Sequence, residues 1–225
     1  MLRNVQLCQY DVPTPIQSYV IPSVLQGKDV IGIAQTGKLQ RLSSNHSTTE
    51  YFLNSGSGKT AAFLIPILSK LMGKAKKLAA SRPDTTVGWS RDQAVRAEPL
   101  VVIVVPTREL AAQIFNEACR LCYRTMLRPC VAYGGAPLRD QIDELQKGCD
   151  ILVGTPGRVV DILRRPHVIS MKRVRSVEPT PYISLVTDSI FSYTVIDEAD
   201  ELIQQDWQED VGKIMGGGMA SHKLF

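Results

Sequence analysis

An α/β fold, with a parallel sheet flanked by helices on both faces, is predicted by two features of this sequence. Short apolar runs bounded by Gly or Pro recur along the chain, and amphipathic helical periodicity fills the intervals between them. Runs that are apolar throughout read as strands buried on both faces, and joining parallel strands takes a crossover long enough to hold a helix. Sheets of this kind bind ligands beyond the carboxyl ends of their strands. Chemistry is therefore expected in the residues that follow each apolar run.

The strands are expected at "DVIGIAQ" (29–35), "LVVIVV" (100–105), "CVAYGG" (130–135), "DILVGT" (150–155) and "YTVIDEA" (193–199). Between them, "KTAAFLIPILSKL" sets Phe63, Ile67 and Leu71 on one stripe, and "TRELAAQIFNEACRLCYR" does the same with Leu110, Ile114, Ala118 and Leu121. "LRDQIDELQKG" repeats the pattern with Leu138, Ile142 and Leu145 before a terminating Gly148. Three segments fit badly. The stretch 73–99 is polar and unpatterned, and is expected to be a flexible surface loop. The other two, 38–56 and 176–192, each interrupt something that reads as functional.

With 225 residues, 44% hydrophobic and 21% charged, the chain has enough apolar content for one substantial core, which excludes disordered and collagen-like classes. A net charge of +4 permits a polyanionic partner without requiring one. Five cysteines follow no framework spacing and read as free thiols, so an intracellular location is expected, cytoplasmic rather than nuclear. No apolar run reaches the length of a membrane span and the first residues lack the features of a signal peptide, so no membrane partner is expected.

"GSGKT" (56–60) stands immediately before a helix, where backbone N–H groups and the helix dipole favour phosphate. There Lys59 can reach the β and γ oxygens and the Thr60 hydroxyl can ligate Mg²⁺. A complete phosphate loop needs a small residue, then four others, before its Gly-Lys-Thr, and the small-residue position here is Leu53. Joining Gly37 directly to Ser57 gives "AQTGSGKT", a full loop at the end of an expected strand. "VIDEAD" (195–200) ends another expected strand with two carboxylates. Asp197 suits a Mg²⁺ water shell, and Glu198 suits orientation of an attacking water.

Taken in order, "YDVPTPIQ" (10–17), "AQTG" with "SGKT", "PTRELA" (106–111), "GG" (134 and 135), "TPGR" (155–158) and "DEAD" (197–200) resemble the first RecA-like core domain of a DEAD-box ATP-dependent RNA helicase. The region from Cys119 to Arg158 looks closest to the translation-associated and germline subgroup. The resemblance implies a P-loop NTPase fold over residues 1–225, with ATP and Mg²⁺ as cofactors. It assigns the nucleotide to Gln17, Ala34, Gln35, Thr36, Gly37, Ser57, Gly58, Lys59 and Thr60, with Gln17 reading the adenine edge. Metal binding falls to Thr60 and Asp197, and catalysis to Lys59, Asp197 and Glu198. The sugar-phosphate backbone of RNA, single-stranded or within a duplex, falls to Pro106, Thr107, Arg108, Gly134, Gly135, Thr155, Pro156, Gly157 and Arg158. A monomer is expected.

Departures from the family pattern accompany these matches. Gln9 stands where a Gly is usual, and the aromatic residue that stacks on adenine falls upstream of these residues. "SHKLF" (221–225) resembles the strand leading into the Ser-Ala-Thr motif, and the second RecA-like domain is not among the 225 residues. Hydrolysis in the family needs both domains closed on ATP, so this chain alone is expected to turn over negligibly.

Removing 38–56 restores the phosphate loop, and removing 176–192 gives the uninterrupted "SMKRVRYTVIDEADEL". Gly37-Lys38 can be encoded by GGTAAG, which contains a splice-donor signal, and "FS" (191 and 192) can end in TTCAG. Both segments are read as retained introns, with true surface insertions the open alternative. Accordingly the leading function is an ATP-dependent RNA helicase domain. The alternative is a catalytically inactive RNA-binding fragment or mis-spliced product, and a DNA-directed P-loop ATPase is disfavoured by "PTPIQ" with "PTRELA". "CRLC" (119–122) has metal-like spacing without a second pair and reads as core packing, and His46, His167, His222, Trp89 and Trp207 receive no role.

Overall fold

The computed structural model describes residues 1–32, 58–74, 78, 81–84, 86, 89–173, 193–204 and 207–215. They fall into two compact units, Met1–Lys70 and Leu71–Phe225.

In the first unit, α1 (Leu2–Leu7) and α2 (Pro15–Leu25) precede α3 (Lys59–Met72), whose last residues run on into the second unit. Pro15 opens α2 because the first helical position needs no N–H donor. The side-chain amide oxygen of Gln17 reaches back to accept from the Thr14 N–H at 3.0 Å, closing that end. Gln9, after α1, has φ +60°, a left-handed conformation where a glycine is relaxed and a longer side chain is strained. The expected strand at 29–35 does not begin where the apolar run does. Asp29–Gly32 are irregular, Ile31 is 93% exposed, and residues 33–35 lie outside the described residues. Apolar character alone does not make a parallel strand; it needs a neighbour to complete its ladder.

The second unit contains the sheet. Strands β1 (Val101–Val104), β2 (Pro129–Ala132), β3 (Ile151–Gly154) and β4 (Tyr193–Ile196) are all parallel, in the spatial order β2-β3-β1-β4. Helix α4 (Arg108–Leu121) crosses from β1 to β2, and α5 (Leu138–Leu145) crosses back from β2 to β3. Parallel crossovers are right-handed as a general rule, and under that rule these opposite steps put the two helices on opposite faces of the sheet. One face carries Val102, Val104, Cys130, Ala132 and Leu152 into a core with Leu145, Val159, Val160, Ile162 and Ile214. The alternate residues Val101, Ile103, Ile151 and Val153 are equally buried on the other. A short 3-10 helix (Arg91–Gln93) and helices α6 (Pro156–Leu163), α7 (Ala199–Gln204) and α8 (Gln208–Met215) complete the elements among the described residues.

The expected stripes are shifted by a residue at their edges. In α4 the buried set is Ala111, Ile114, Ala118 and Leu121, with Leu110 only half-buried. In α5 the buried pair is Gln141 and Leu145, while Leu138 and Ile142 pack at the margin. Of the two cysteines in "CRLC", Cys122 is buried and its thiol is pushed up to about 12, mainly by burial, whereas Cys119 is exposed.

Several described residues of 73–99 are tied to the sheet. The Arg82 guanidinium pairs at 2.5 Å with Asp150, whose side chain is fully buried. Ala97 exchanges backbone hydrogen bonds of 2.8 Å with Val168 and Ser170, and the Val95 N–H donates to Gln146 O at 2.9 Å. A stretch without local periodicity is thus held by partners distant in sequence.

Candidate functional site

Of the residues expected to hold nucleotide, Gln17, Gly58, Lys59 and Thr60 are described in the first unit; Ala34, Gln35, Thr36, Gly37 and Ser57 lie outside the described residues. Gln17 is buried, and its amide N–H donates to Gly58 O at 3.1 Å. One amide therefore ties the start of α2 to the residue just before α3. Gly58 has φ +77°, and a Cβ there would meet Gln17 Nε2 at 2.5 Å and Thr14 Oγ1 at 2.8 Å. Only glycine accepts both the conformation and the contact. Lys59 and Thr60 occupy the first turn of α3, the end of a helix whose N–H groups and dipole favour an anion.

In the second unit, the remaining residues lie at the carboxyl ends of the strands. Beyond β4, the Asp197 N–H donates to Val104 O at 3.1 Å, extending the pairing with β1 by one residue. Asp197 Oδ1 accepts from the Glu198 N–H at 3.1 Å, and Glu198 takes φ +54° as the chain turns into α7. The two carboxylates thus leave a sharp corner at a strand end.

Beyond β1, Thr107 caps α4 by accepting from the Leu110 N–H at 3.3 Å, and Arg108 opens the helix. Arg108 Nε donates to Glu109 at 2.6 Å in an exposed pair. This bond, followed by the charge attraction of the carboxylate, raises the guanidinium pKa, and the same bond, followed by a backbone hydrogen bond, lowers that of Glu109. Beyond β2, Gly134 and Gly135 are exposed, and Gly135 takes φ +83° with Arg108 Nη1 3.5 Å from where a Cβ would stand. Beyond β3, Thr155 precedes α6, Pro156 is its first residue, and Arg158 Nη1 donates to Ala136 O at 3.0 Å. The three loops are therefore brought together, Arg108 against the glycine turn and Arg158 onto its far end.

Of the residues assigned to RNA, Pro106 and Pro156 are buried, so they shape the chain and offer little side-chain surface. Two neighbours escaped the sequence reading. Trp207 presses its ring to within 3.2 Å of where a Gly157 Cβ would stand. Gln141 grips the main chain of Tyr133, accepting from its N–H at 3.2 Å and donating to its C=O at 3.0 Å. The available signal for Gln141 was its place on the apolar stripe between Leu138 and Leu145; Trp207 gave no comparable one. Among the described residues no group of three or more His, Cys, Asp or Glu could hold a metal ion, and no helix is long and apolar enough to cross a membrane.

A parallel sheet with all these loops at its carboxyl edge defines an α/β domain of the RecA-like type. A family model described as DEAD/DEAH box helicase matches residues 52–219. Among solved structures, the yeast DEAD-box splicing factor Prp28 is similar with 30% identity and a TM-score of 0.65, over 95% of this chain and 38% of that one. The RNA helicase Prp28 from Chaetomium thermophilum, bound to ADP, is similar with 32% identity and a TM-score of 0.60, over 95% of this chain and 39% of that one. The chain belongs to the DEAD/DEAH box helicase family. It spans less than two fifths of the length of either Prp28 structure.

Proposed function

We propose that this chain is the ATP-binding and RNA-gripping first core domain of an ATP-dependent RNA helicase, which in a full-length protein couples ATP hydrolysis to unwinding or to remodelling of RNA–protein complexes. One observation carries the reading: Arg108, the exposed Gly134 and Gly135, and Thr155 to Arg158 converge from three adjacent strand ends. Cationic side chains beside bare peptide groups suit a sugar-phosphate backbone and carry no means of reading bases.

Lys59 and Thr60 are the residues we assign to the nucleotide phosphates, and Gln17 the one we assign to adenine, with part of its amide still open to donate and accept. The Thr60 hydroxyl and the Asp197 carboxylate are hard oxygen donors, which fit Mg²⁺. Bound Mg²⁺ would neutralise charge on the β and γ phosphates. Glu198, at its strained corner, is suited to orient a water. A second reading, an RNA-binding chain that does not turn over ATP, is favoured by the break between Gly37 and Ser57 in the sequence. The reading also carries an intracellular, cytoplasmic site of action for a monomer. Kinship with the translation-associated and germline subgroup rests on Cys119 to Arg158 alone.

Binding of a short fluorescein-labelled oligouridylate over a salt series tests the grip. For Arg108→Ala the log–log salt slope should fall by about 0.7, the share of one phosphate contact on a single strand. Gly134 offers a sharper variant, because nothing stands within 4 Å of where its Cβ would be. Gly134→Val should fold normally yet bind several-fold more weakly, since the added methyls obstruct only what approaches from outside. Wild-type affinity in both variants would refute the assignment.

A further inference from the structure

We propose that Gln141 is the positioning residue of the RNA grip: its buried amide closes on both main-chain groups of Tyr133 and so fixes the direction in which Gly134 and Gly135 present their peptide groups. The inference rests on the reading of the strand ends as an RNA surface. β2 is the edge strand and Ala132 turns its C=O to the Thr155 N–H beside β3, so Tyr133, the next residue in the alternation, directs its N–H and C=O to the open edge. Gln141, from the first half of the helix that follows, replaces the missing strand with one acceptor and one donor, at 3.2 Å and 3.0 Å. At the other end of the turn, Arg158 holds Ala136 O. Tyr133 to Ala136 are therefore pinned first and last, while the residues between include Gly135 at φ +83°, a soft conformation that glycine leaves as readily as it enters.

An apolar side chain would serve burial better at position 141, which shares the inward stripe of α5 with Leu145. A buried amide is costly unless its hydrogen bonds are made, and here both go to one peptide backbone. Preorganised donors bind an anion better than mobile ones because no ordering entropy is lost on binding. Gln141 thus acts on affinity through the glycine turn without touching RNA.

The test measures oligouridylate affinity of the whole chain for the wild type, Gln141→Met and Gln141→Glu, with the folded fraction followed by circular dichroism. Methionine keeps the volume and loses both bonds; folded protein should bind about tenfold more weakly, the effect of about 1.4 kcal/mol. The carboxyl group introduced by Gln141→Glu mimics the amide only when protonated, since the ionised form repels Tyr133 O, and burial raises its pKa. Its affinity relative to wild type should be about tenfold down near pH 8 and within about twofold near pH 5.5. A residue that merely stabilised the fold would change the folded fraction without this recovery of affinity by folded protein. Wild-type affinity in both variants at both pH values overturns the inference alone. Failure of the wild type to bind, or indifference to Arg108→Ala, overturns the reading of the strand ends and the inference with it.

Discussion

Asp150→Ala is expected to destabilise the sheet-containing unit by about 3 kcal/mol, near the lower end of what breaking a buried ion pair costs. Asp150 is fully buried at the amino end of β3, where Oδ2 accepts from Arg82 at 2.5 Å and from the Arg128 N–H at 2.8 Å. Its own main chain donates to Arg128 O and accepts from Leu100 and Val101, so one residue joins β2, β3 and β1. Removing the carboxylate takes away the partner of the Arg128 N–H and strips the 73–99 segment of one ionic anchor, leaving that between Arg91 and Asp143. Arg82 is one-third exposed and can turn to water, which is why the loss stays at the lower end. Urea denaturation should show a lower midpoint with an unchanged slope, because the same surface is exposed on unfolding.

Gly58→Ala is the second large effect, and it falls on nucleotide binding. Alanine at φ +77° costs about 1 kcal/mol in backbone strain, and its methyl would stand 2.5 Å from Gln17 Nε2. Gln17 must then release Gly58 O or the Thr14 N–H, so the segments we assign to adenine and to phosphate are both disturbed by a single methyl. A titration with fluorescent ADP in Mg²⁺ should show at least a tenfold loss, measured on a chain lacking 38–56 so that the loop is contiguous. Unchanged affinity would mean that the contact between Gln17 and Gly58 has no part in holding nucleotide.

The parts of the fold that were legible in the sequence are those whose signal is local. β1 and β3 are apolar at every position because both faces are covered, and they fall inside the expected runs. The motif residues at the ends of β1, β2 and β3 were legible for the same reason, since each follows such a run directly. Asp29 to Gly32 carried the same apolar signature and form no strand, because strand formation depends on a neighbour that the run itself does not encode. Long-range partners left no trace either: Arg82 meets Asp150 across 68 residues, in a stretch that read as loop. Gln141 and Trp207 work through the backbone of other motifs, so their residue types advertised no chemistry.

We propose that "IAQTG" and "SGKT" are two halves of one phosphate loop in a nucleotide-binding helicase domain. Fluorescent ADP titrated into the chain lacking 38–56, alongside the same chain carrying Lys59→Ala, tests it most directly. Mg²⁺-dependent binding is expected, which the intact 225-residue chain shows only weakly and which Lys59→Ala reduces at least tenfold, because the lysine of a complete phosphate loop reaches the phosphates. No binding by the shortened chain, or binding indifferent to Lys59, would contradict it.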